Sequence, residues 1–337
     1  MRSDRVVLEA NPDYWDTTRW PRLHRLIFDN TIEQRDAVEL VKTAEGRVDV
    51  VTELSPLETL QVAQSAFAKV VKTRGAFISV FGMFNMRKAD SPWRDVRLRQ
   101  AANLAINRED LLRYAAKGNG VVLPALLPVQ AFGYDPDLAP YAFDPDKTRA
   151  LLREAGYPDG LALTLIAPAT LQVQATVVSK MLEMGGFRVD FQVLDPVTYG
   201  QKTAISYLEQ SPEQQTWDIA LASNVPDVAN FPVYMIYHNF ALDGQFDWVL
   251  EQPELRQLYE QVLGTVHREQ QQALLRQMER HTRDQAYFLF LYNPIKLYAV
   301  DKAVEFVPYV NGFLILAETG VMDQHWSVRQ QGAAVPE

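Results

Sequence analysis

Between residues 161 and 222 the chain alternates three short apolar segments with two segments of helical periodicity, and this order constrains the fold more than any other feature. The apolar segments are 161–166, 187–194 and 217–222, and the helical segments are about 172–184 and 197–208. Strands joined through helices in this way lie parallel, because each helix returns the chain to the same end of the sheet. The alternation therefore predicts an α/β fold with a parallel sheet.

The direction of a parallel sheet also predicts where a ligand would bind. In open α/β sheets, ligands bind beyond the carboxyl ends of the strands. The loops that leave those ends are 167–170 and 223–230, and the pair Gly185 and Gly186 is expected to end the helix between the first two strands. The two loops are the candidate rim of a ligand-binding crevice.

Composition limits the classes of function. The 337 residues are 47% hydrophobic, which suffices for a sizeable core and for two lobes. The formal charge of −9 is spread along the chain, which argues against a nucleic-acid-binding surface. The absence of cysteine excludes disulfides and thiol catalysis, and no apolar run reaches the roughly 18 residues that a membrane span needs.

Sequence motifs for catalysis, metals and cofactors are missing. None of the five histidines has the i, i+4 spacing of a zinc-binding helix. The sequence contains no Gly-x-Ser-x-Gly, no phosphate loop and no dinucleotide fingerprint. We therefore expect no enzymatic activity, no metal and no cofactor.

Residues 92–112 (PWRDVRLRQAANLAINREDLL) have the pattern of two consecutive helices. Asp95 and Asn107 are the expected N-caps, with Asp110 three residues after Asn107, and Asp144 is the expected N-cap of a later helix. An earlier helix is expected to be capped by Thr31. The first of the two helices has an apolar stripe (Leu98, Ala101, Ala102, Ala105) and polar residues expected to face mostly away from it (Arg97, Arg99, Gln100, Asn103). We expect Arg97 and Arg99 to hold helices rather than to contact solute.

Residues 92–112 also resemble a signature of the solute-binding proteins of peptide- and nickel-type ABC transporters, the bacterial extracellular solute-binding protein family 5. Four further segments resemble motifs of the same family and occur in the same order: 11–15 (NPDYW), 45–49 (EGRVD), 133–135 (GYD) and 144–160 (DPDKTRALLREAGYPDG). The resemblance covers most of the chain. It implies a two-lobed, periplasmic-binding-protein-like α/β fold of class II type, with the parallel β-α-β sheet in the second lobe.

The resemblance assigns residues 1–84 and 295–337 to a first lobe and residues 85–294 to a second lobe, with crossings expected near residues 80–85 and 292–294. In the family the NPDYW segment lies well inside the polypeptide. Here it begins at Asn11, and no apolar export segment follows Met1. We therefore expect an incomplete first lobe with unpaired sheet edges and bare apolar surface.

Residues 217–231 (WDIALASNVPDVANF) resemble the ligand loop of the family but are about three residues shorter. Counted forward from Asp218, Asn224 occupies the family's tryptophan position; counted back from Phe231, it occupies the position of a carboxylate that pairs with the peptide α-amino group. A neutral amide supplies no anion for a buried ammonium, so standard capture of a free amine is in question.

Four residues are therefore candidates for ligand binding: Asn224, Asp227, Phe231 and Asn85. Asp227 is the acid that could replace the missing carboxylate, although it could equally cap a turn. Packing or hydrogen bonding at a strand edge would account equally well for Phe231 and Asn85.

The resemblance implies a solute-binding subunit that captures a small peptide-like or other polar solute between two lobes and delivers it to a membrane permease. It would be periplasmic or extracellular and associated with the membrane through the transporter. The alternative is a truncated binding-protein derivative that acts as a structural or interaction subunit and pairs with another chain. Expected partners are the solute, the transporter's membrane subunits and a second copy or partner chain that completes the first lobe, with no nucleic acid.

Overall fold

The computed structural model describes residues 4–43, 45–223, 237–250 and 252–329. The chain packs as two units. Unit 1 comprises Met1–Arg74 and Ile295–Glu337, and unit 2 comprises Gly75–Pro294. Each unit is built around its own β-sheet.

The secondary structure alternates short strands and helices. The strands are β1 (Arg5–Glu9), β2 (Arg25–Asp29), β3 (Val50–Val51), β4 (Ala68–Lys72), β5 (Val80–Phe84), β6 (Gly120–Val122), β7 (Ala162–Pro168), β8 (Arg188–Leu194), β9 (Ile219–Ser223), β10 (Phe288–Pro294), β11 (Leu297–Asp301), β12 (Val304–Glu305) and β13 (Gly320–Val321). The helices are α1 (Gln34–Val41), α2 (Thr59–Ala63), α3 (Val96–Leu104), α4 (Arg108–Ala115), α5 (Pro145–Glu154), α6 (Gln172–Gly185), α7 (Pro196–Thr203), α8 (Asn239–Ala241), α9 (Pro253–Gly264), α10 (Arg268–Asp284) and α11 (Trp326–Arg329).

The first boundary between the units differs from the one expected between residues 84 and 85. The structure divides the chain after Arg74, because β5 is a central strand of the unit 2 sheet and all five of its residues are buried there. Residues 80–85, the expected first crossing, therefore belong to unit 2. The second boundary lies after Pro294, at the carboxyl end of β10.

Unit 2 contains a six-stranded mixed sheet in the order β6-β10-β5-β9-β7-β8. The predicted parallel arrangement is confirmed, since β7 lies between β8 and β9 and runs parallel to both. The other adjacent strands are antiparallel. Helix α6 packs against β7 and β8 and ends, as predicted, at the glycine pair, where Gly186 adopts a left-handed φ of +105°.

The expected helix caps of unit 2 are confirmed. The side chains of Asp95, Asn107 and Asp144 accept hydrogen bonds from backbone N–H groups two or three residues further on, at 2.9, 3.1 and 2.8 Å. The amide of Asn107 also donates to the Asp110 carboxylate at 2.8 Å. The apolar stripe of α3 is fully buried. These local signals fix where α3, α4 and α5 begin.

The expectation that Arg99 and Asn103 face away from the core is wrong. Both are buried, and so is Arg108 at the start of α4. Their side chains bond the main chain of β10 and the residues before it: Arg99 donates to the carbonyls of Gln285 and Ala286, Asn103 donates to Phe288 and accepts from the Phe290 N–H, and Arg108 donates to the Phe290 carbonyl. Burial lowers the pKa of Arg99 to about 10 and that of Arg108 to about 9, so both stay charged at neutral pH. Arg99 also donates to the carbonyls of Trp93 and Arg94, so it links the start of α3 to the end of α10.

Unit 1 is built on a three-stranded antiparallel sheet in the order β3-β11-β4. Alternate residues of β11 lie in two different apolar clusters. Leu297 and Ala299 pack with side chains of α1 and α2, whereas Tyr298 and Val300 pack with Val304 and Phe306. The sheet therefore carries apolar packing on both faces.

Helix α1 begins later than the sequence suggests, so the expectation that Thr31 is its cap is wrong. Thr31 donates its N–H and its hydroxyl to the Asp29 carboxylate, at 2.9 and 2.6 Å. These bonds close a turn after β2 and lower the pKa of Asp29 to about 2. The helix itself starts at Gln34 without a side-chain cap.

The EGRVD segment contacts the last described helix of unit 1 through Asp49 and Gly46. Asp49 accepts a hydrogen bond from the Trp326 indole at 2.8 Å and contacts Nε2 of the buried His325 at 3.1 Å. Gly46 has a φ of +69°, and a Cβ built there would lie 2.5 Å from the Trp326 ring. A glycine at this position thus allows the indole to approach the backbone.

Strands β1 and β2 form a separate two-stranded hairpin in unit 1. Val6, Val7, Leu8 and Ile27 are 42–52% exposed, which matches the expected bare apolar surface. Beside the hairpin lies an apolar groove of about 340 Å³, whose lining includes Leu8, Leu26, Phe28, Leu314 and Leu316. The hairpin and its groove thus form an exposed apolar part of unit 1.

Candidate functional site

The carboxyl ends of the parallel strands define one edge of the unit 2 sheet. At this edge β7 ends at Pro168, β8 ends at Leu194 and β9 ends at Ser223. Because β5 runs antiparallel to β9, it begins here, with Val80 opposite Ser223. Strand β10 ends here at Pro294. We call this the carboxyl edge.

The described residues at the carboxyl edge include exposed positions and buried side chains that bond the backbone of the edge. Ala169 and Thr170, in a short 3-10 helix after β7, are exposed, and so is Ser223. The hydroxyl of Tyr292, near the end of β10, accepts a hydrogen bond from the Gln174 amide at 3.0 Å, and burial raises the pKa of this phenol. Asn293 is buried and donates to the Ala76 carbonyl at 2.8 Å. The backbone that carries the edge is therefore fixed by side-chain hydrogen bonds.

Three of the predicted ligand-binding residues, Asn224, Asp227 and Phe231, lie outside the described residues. Their roles in ligand binding stay predictions.

The structure does not bring Asn85 to the carboxyl edge. Asn85 follows the last residue of β5, where its N–H donates to the carbonyl of Asp218, five residues before Ser223 along the neighbouring strand. This separation is roughly 16 Å at the rise of a strand. The buried amide donates to the Trp217 carbonyl at 3.1 Å and accepts from the Lys88 N–H at 3.0 Å. Its geometry is that of a residue that ties β5 to β9, and it does not support a ligand contact.

Tyr237 and Glu279 form a buried hydrogen-bonded pair that was not predicted from the sequence. The hydroxyl of Tyr237 donates to the carboxylate of Glu279 on α10, which also accepts from the Leu127 N–H at 3.0 Å. Both side chains are buried, and burial raises the pKa of Glu279 to about 7. The sequence signal for this pair was the helical spacing of Glu279, which lies on the same buried stripe of α10 as Leu275, Met278 and Thr282.

The described residues contain no group of three or more acidic or histidine side chains that could hold a metal ion. Nor does any described helix have the length and apolar character that a membrane span requires. What the site offers is a loop-bearing sheet edge, which can bind a solute through backbone and side-chain polar groups.

A fold of this kind, with a mixed sheet and loops at the ends of its parallel strands, is that of the periplasmic-binding-protein-like class. The sequence profile of the bacterial extracellular solute-binding proteins, family 5 (middle region), matches residues 2–246, and the chain belongs to this family. The resemblance drawn from the motifs is therefore confirmed. The family consists of substrate-binding proteins of ABC transporters rather than enzymes, which confirms the expectation of no enzymatic activity.

Relatives of known specificity are similar over part of their length. The chain is 27% identical over 184 residues to the dipeptide-binding protein of Escherichia coli K12, which covers 55% of this chain and 33% of that protein. It is 25% identical over 206 residues to the glutathione-binding protein GsiB of Pectobacterium atrosepticum, covering 60% and 38%. It is 27% identical over 151 residues to heme-binding protein A of Haemophilus influenzae, covering 45% and 26%.

Solved structures share the fold over nearly the whole chain. The substrate-binding protein CtaP of Listeria monocytogenes matches with a TM-score of 0.81 at 18% identity, covering 94% of this chain and 64% of CtaP. DppA of Helicobacter pylori, in complex with the peptide STSA, matches with a TM-score of 0.75 at 20% identity, covering 95% and 61%. The chain therefore spans less than two thirds of each of these proteins.

Proposed function

We propose that the chain is the solute-binding subunit of a peptide-type ABC transporter and binds a small peptide-like or other polar solute for delivery to a membrane permease. The observation that carries the proposal is the family match over residues 2–246, which includes all three parallel strands and both loops of the carboxyl edge. The names of the relatives support a small solute with peptide character, such as a dipeptide or glutathione. The corresponding location is periplasmic or extracellular, with attachment to the membrane through the transporter.

Within this proposal, Asn224, Asp227 and Phe231 contact the solute at the carboxyl edge. Asp227 supplies the anion for a peptide α-amino group, because Asn224 is neutral and an unpaired ammonium is costly to bury. Phe231 supplies an apolar wall of the kind common in ligand sites. Asn85 acts indirectly, through the pairing of β5 with β9.

Ligand screening tests the proposal. The folded protein is mixed with a dipeptide library, reduced glutathione or heme, and thermal unfolding and calorimetric binding are measured. A true ligand at 100 times its Kd adds about 2.7 kcal/mol to the free energy of unfolding and raises the Tm accordingly. No Tm shift and no binding heat with any of these probes, for protein shown to be folded, contradict the proposal.

Two variants test the assigned roles. Asp227→Asn should weaken binding of a free-amine peptide and leave its N-acetylated form unaffected, whereas Asn224→Ala should weaken both. Asp159→Asn is the matched control, since Asp159 is an exposed carboxylate elsewhere in unit 2. Equal binding of free and acetylated peptide by the unmodified protein contradicts the role of Asp227.

The exposed β1–β2 hairpin favours a second candidate, an interaction subunit that pairs with another chain. Val6, Val7 and Leu8 are consecutive, apolar and more than 40% exposed, and the groove beside them is apolar. Exposed apolar edges of this kind are sites of chain association. Association without any ligand in the screen above would favour this candidate over solute binding.

A further inference from the structure

Gln174 lies in the first turn of α6, at the carboxyl edge of the unit 2 sheet. Helix α6 begins at Gln172, directly after the short 3-10 helix that follows β7. The Gln174 side chain is partly exposed, and its amide donates to the Tyr292 hydroxyl on β10 at 3.0 Å. Strands β5 and β9 lie between β7 and β10 in the sheet. The bond therefore joins the helix that follows β7 to a strand three positions away.

The bond to Tyr292 leaves part of the Gln174 carboxamide free. A carboxamide has two N–H donors and one carbonyl acceptor. Tyr292 takes one donor, and the other N–H and the Oε1 atom have no hydrogen-bond partner among the described residues. Tyr292 is 2% exposed and belongs to the apolar core of unit 2, so it is a rigid anchor. A side chain held in place before binding loses less conformational freedom when it contacts a ligand.

The strand ends around Gln174 contain no charged residue. This holds for four described segments of unit 2: 75–81, 166–174, 219–223 and 290–294. The carboxylate that follows β8, Asp195, caps α7 by accepting from the N–H groups of Val197 and Thr198 at 3.0 and 3.1 Å. A neutral set of donors and acceptors suits a neutral polar group of a solute better than a free charge, which needs an opposite charge when buried.

A peptide backbone supplies the groups that match the free part of Gln174. Its N–H groups can donate to Oε1, and its C=O groups can accept from the remaining N–H of the carboxamide. A carboxylate offers acceptors alone and would leave Oε1 without a donor, whereas an ammonium group offers donors alone. The peptide group is therefore the part of a peptide-like solute that uses both.

We propose that Gln174, held by Tyr292, determines specificity in unit 2 by hydrogen bonding to a peptide group of the solute. The inference rests on the solute-binding function proposed above and names the part of the solute that this side chain recognises. Asp227 is assigned to the α-amino group, and Gln174 is assigned to the peptide backbone. Tyr292 is a positioning residue, which acts on the solute through Gln174.

Calorimetric binding of two matched ligands to the full chain tests the proposal. The ligands are the peptide that binds most tightly in the screen above and the same peptide with its backbone nitrogen methylated. The unmodified protein should bind the methylated form on the order of tenfold more weakly. Gln174→Leu should bind the parent peptide on the order of tenfold more weakly and should no longer distinguish the two ligands. Gln277→Leu, at an exposed glutamine on α10, is the matched control and should behave like the unmodified protein.

Tyr292→Phe separates positioning from a purely structural role. It keeps the buried ring but removes the hydroxyl that orients Gln174, so the preference for the parent peptide over the methylated form should fall. A change in stability alone would not alter this ratio of affinities. Unchanged affinity or an unchanged ratio in Gln174→Leu overturns the proposal, and an unchanged ratio in Tyr292→Phe overturns the positioning role.

The same measurements distinguish failure of this inference from failure of the proposed function. Binding of heme but of no peptide in the screen overturns the role of Gln174 and leaves solute binding intact. No binding of any probe by the unmodified, folded protein overturns both.

Discussion

Glu279 allows a quantitative test of how burial controls the stability of unit 2. Its carboxylate is 1% exposed and accepts hydrogen bonds from the Tyr237 hydroxyl and the Leu127 N–H. The other titratable groups that bear on it are Asp135, which is paired with Arg280 at 2.7 Å, and Tyr134. Burial is the largest influence and raises the pKa of Glu279 from 4.5 to about 7, despite both hydrogen bonds.

The sign of the effect follows from proton binding. The folded state holds the Glu279 proton up to about pH 7, whereas the unfolded state releases it near pH 4.5. The stability that this group contributes is therefore complete below pH 4.5 and is lost as the pH rises to 7. At 1.36 kcal/mol for each unit of pKa, the loss is about 3 kcal/mol. Glu279→Gln, which is neutral throughout and keeps an oxygen for the Leu127 N–H, should not show it.

Urea unfolding of the unmodified protein and of Glu279→Gln at pH values between 4.5 and 8 measures this difference directly. The free energy of unfolding of the variant, relative to the unmodified protein, should rise by about 3 kcal/mol across this window. Other titrating groups are common to both proteins and cancel. Glu269→Gln, an exposed glutamate on the same helix, is the control and should show no such rise. A constant difference for Glu279→Gln at all pH values would refute the reasoning.

Three further substitutions test the fold by urea or thermal unfolding. Arg108→Met should lower the free energy of unfolding by about 3 kcal/mol or more, because it leaves buried carbonyls without a donor, and a loss below about 1 kcal/mol would contradict that role. Gly46→Ala should lower the free energy of unfolding by about 1–3 kcal/mol, because Gly46 has a positive φ and its Cβ position meets the Trp326 ring. Gly200→Ala should raise it by about 0.5–1 kcal/mol, because Gly200 lies inside α7 with open space at its Cβ. Equal effects of the two substitutions would contradict the steric argument. Asn107→Ala should cost about 1 kcal/mol through loss of the α4 cap, and no change would show that the cap is dispensable.

Features that depend on a few neighbouring residues could be predicted from the sequence. The caps at Asp95, Asn107 and Asp144 and the end of α6 at Gly186 each arise from contacts within three residues. The parallel strands β7, β8 and β9 were predictable for a related reason, because the alternation of strand and helix leaves few possible topologies.

Features that depend on distant partners could not be predicted. Arg99 looked like a surface residue because its hydrogen-bond acceptors at Gln285 lie 186 positions away in the chain. Thr31 looked like a cap because the competing Asp29 turn cannot be distinguished from a helix start by composition. Asn85 was assigned to the ligand site without knowledge of the strand pairing that places it near Asp218. The Tyr237–Glu279 pair required the three-dimensional path of the chain.

The hydrogen bonds from α3 and α4 to the main chain of β10 affect how far the sequence of β10 can diverge. Arg99, Asn103 and Arg108 bond the main-chain carbonyls and an N–H of this region, which every residue type except proline supplies alike. Apolar exchanges along β10 therefore leave these anchors intact. The sequence of β10 can therefore change while its attachment to α3 and α4 is retained.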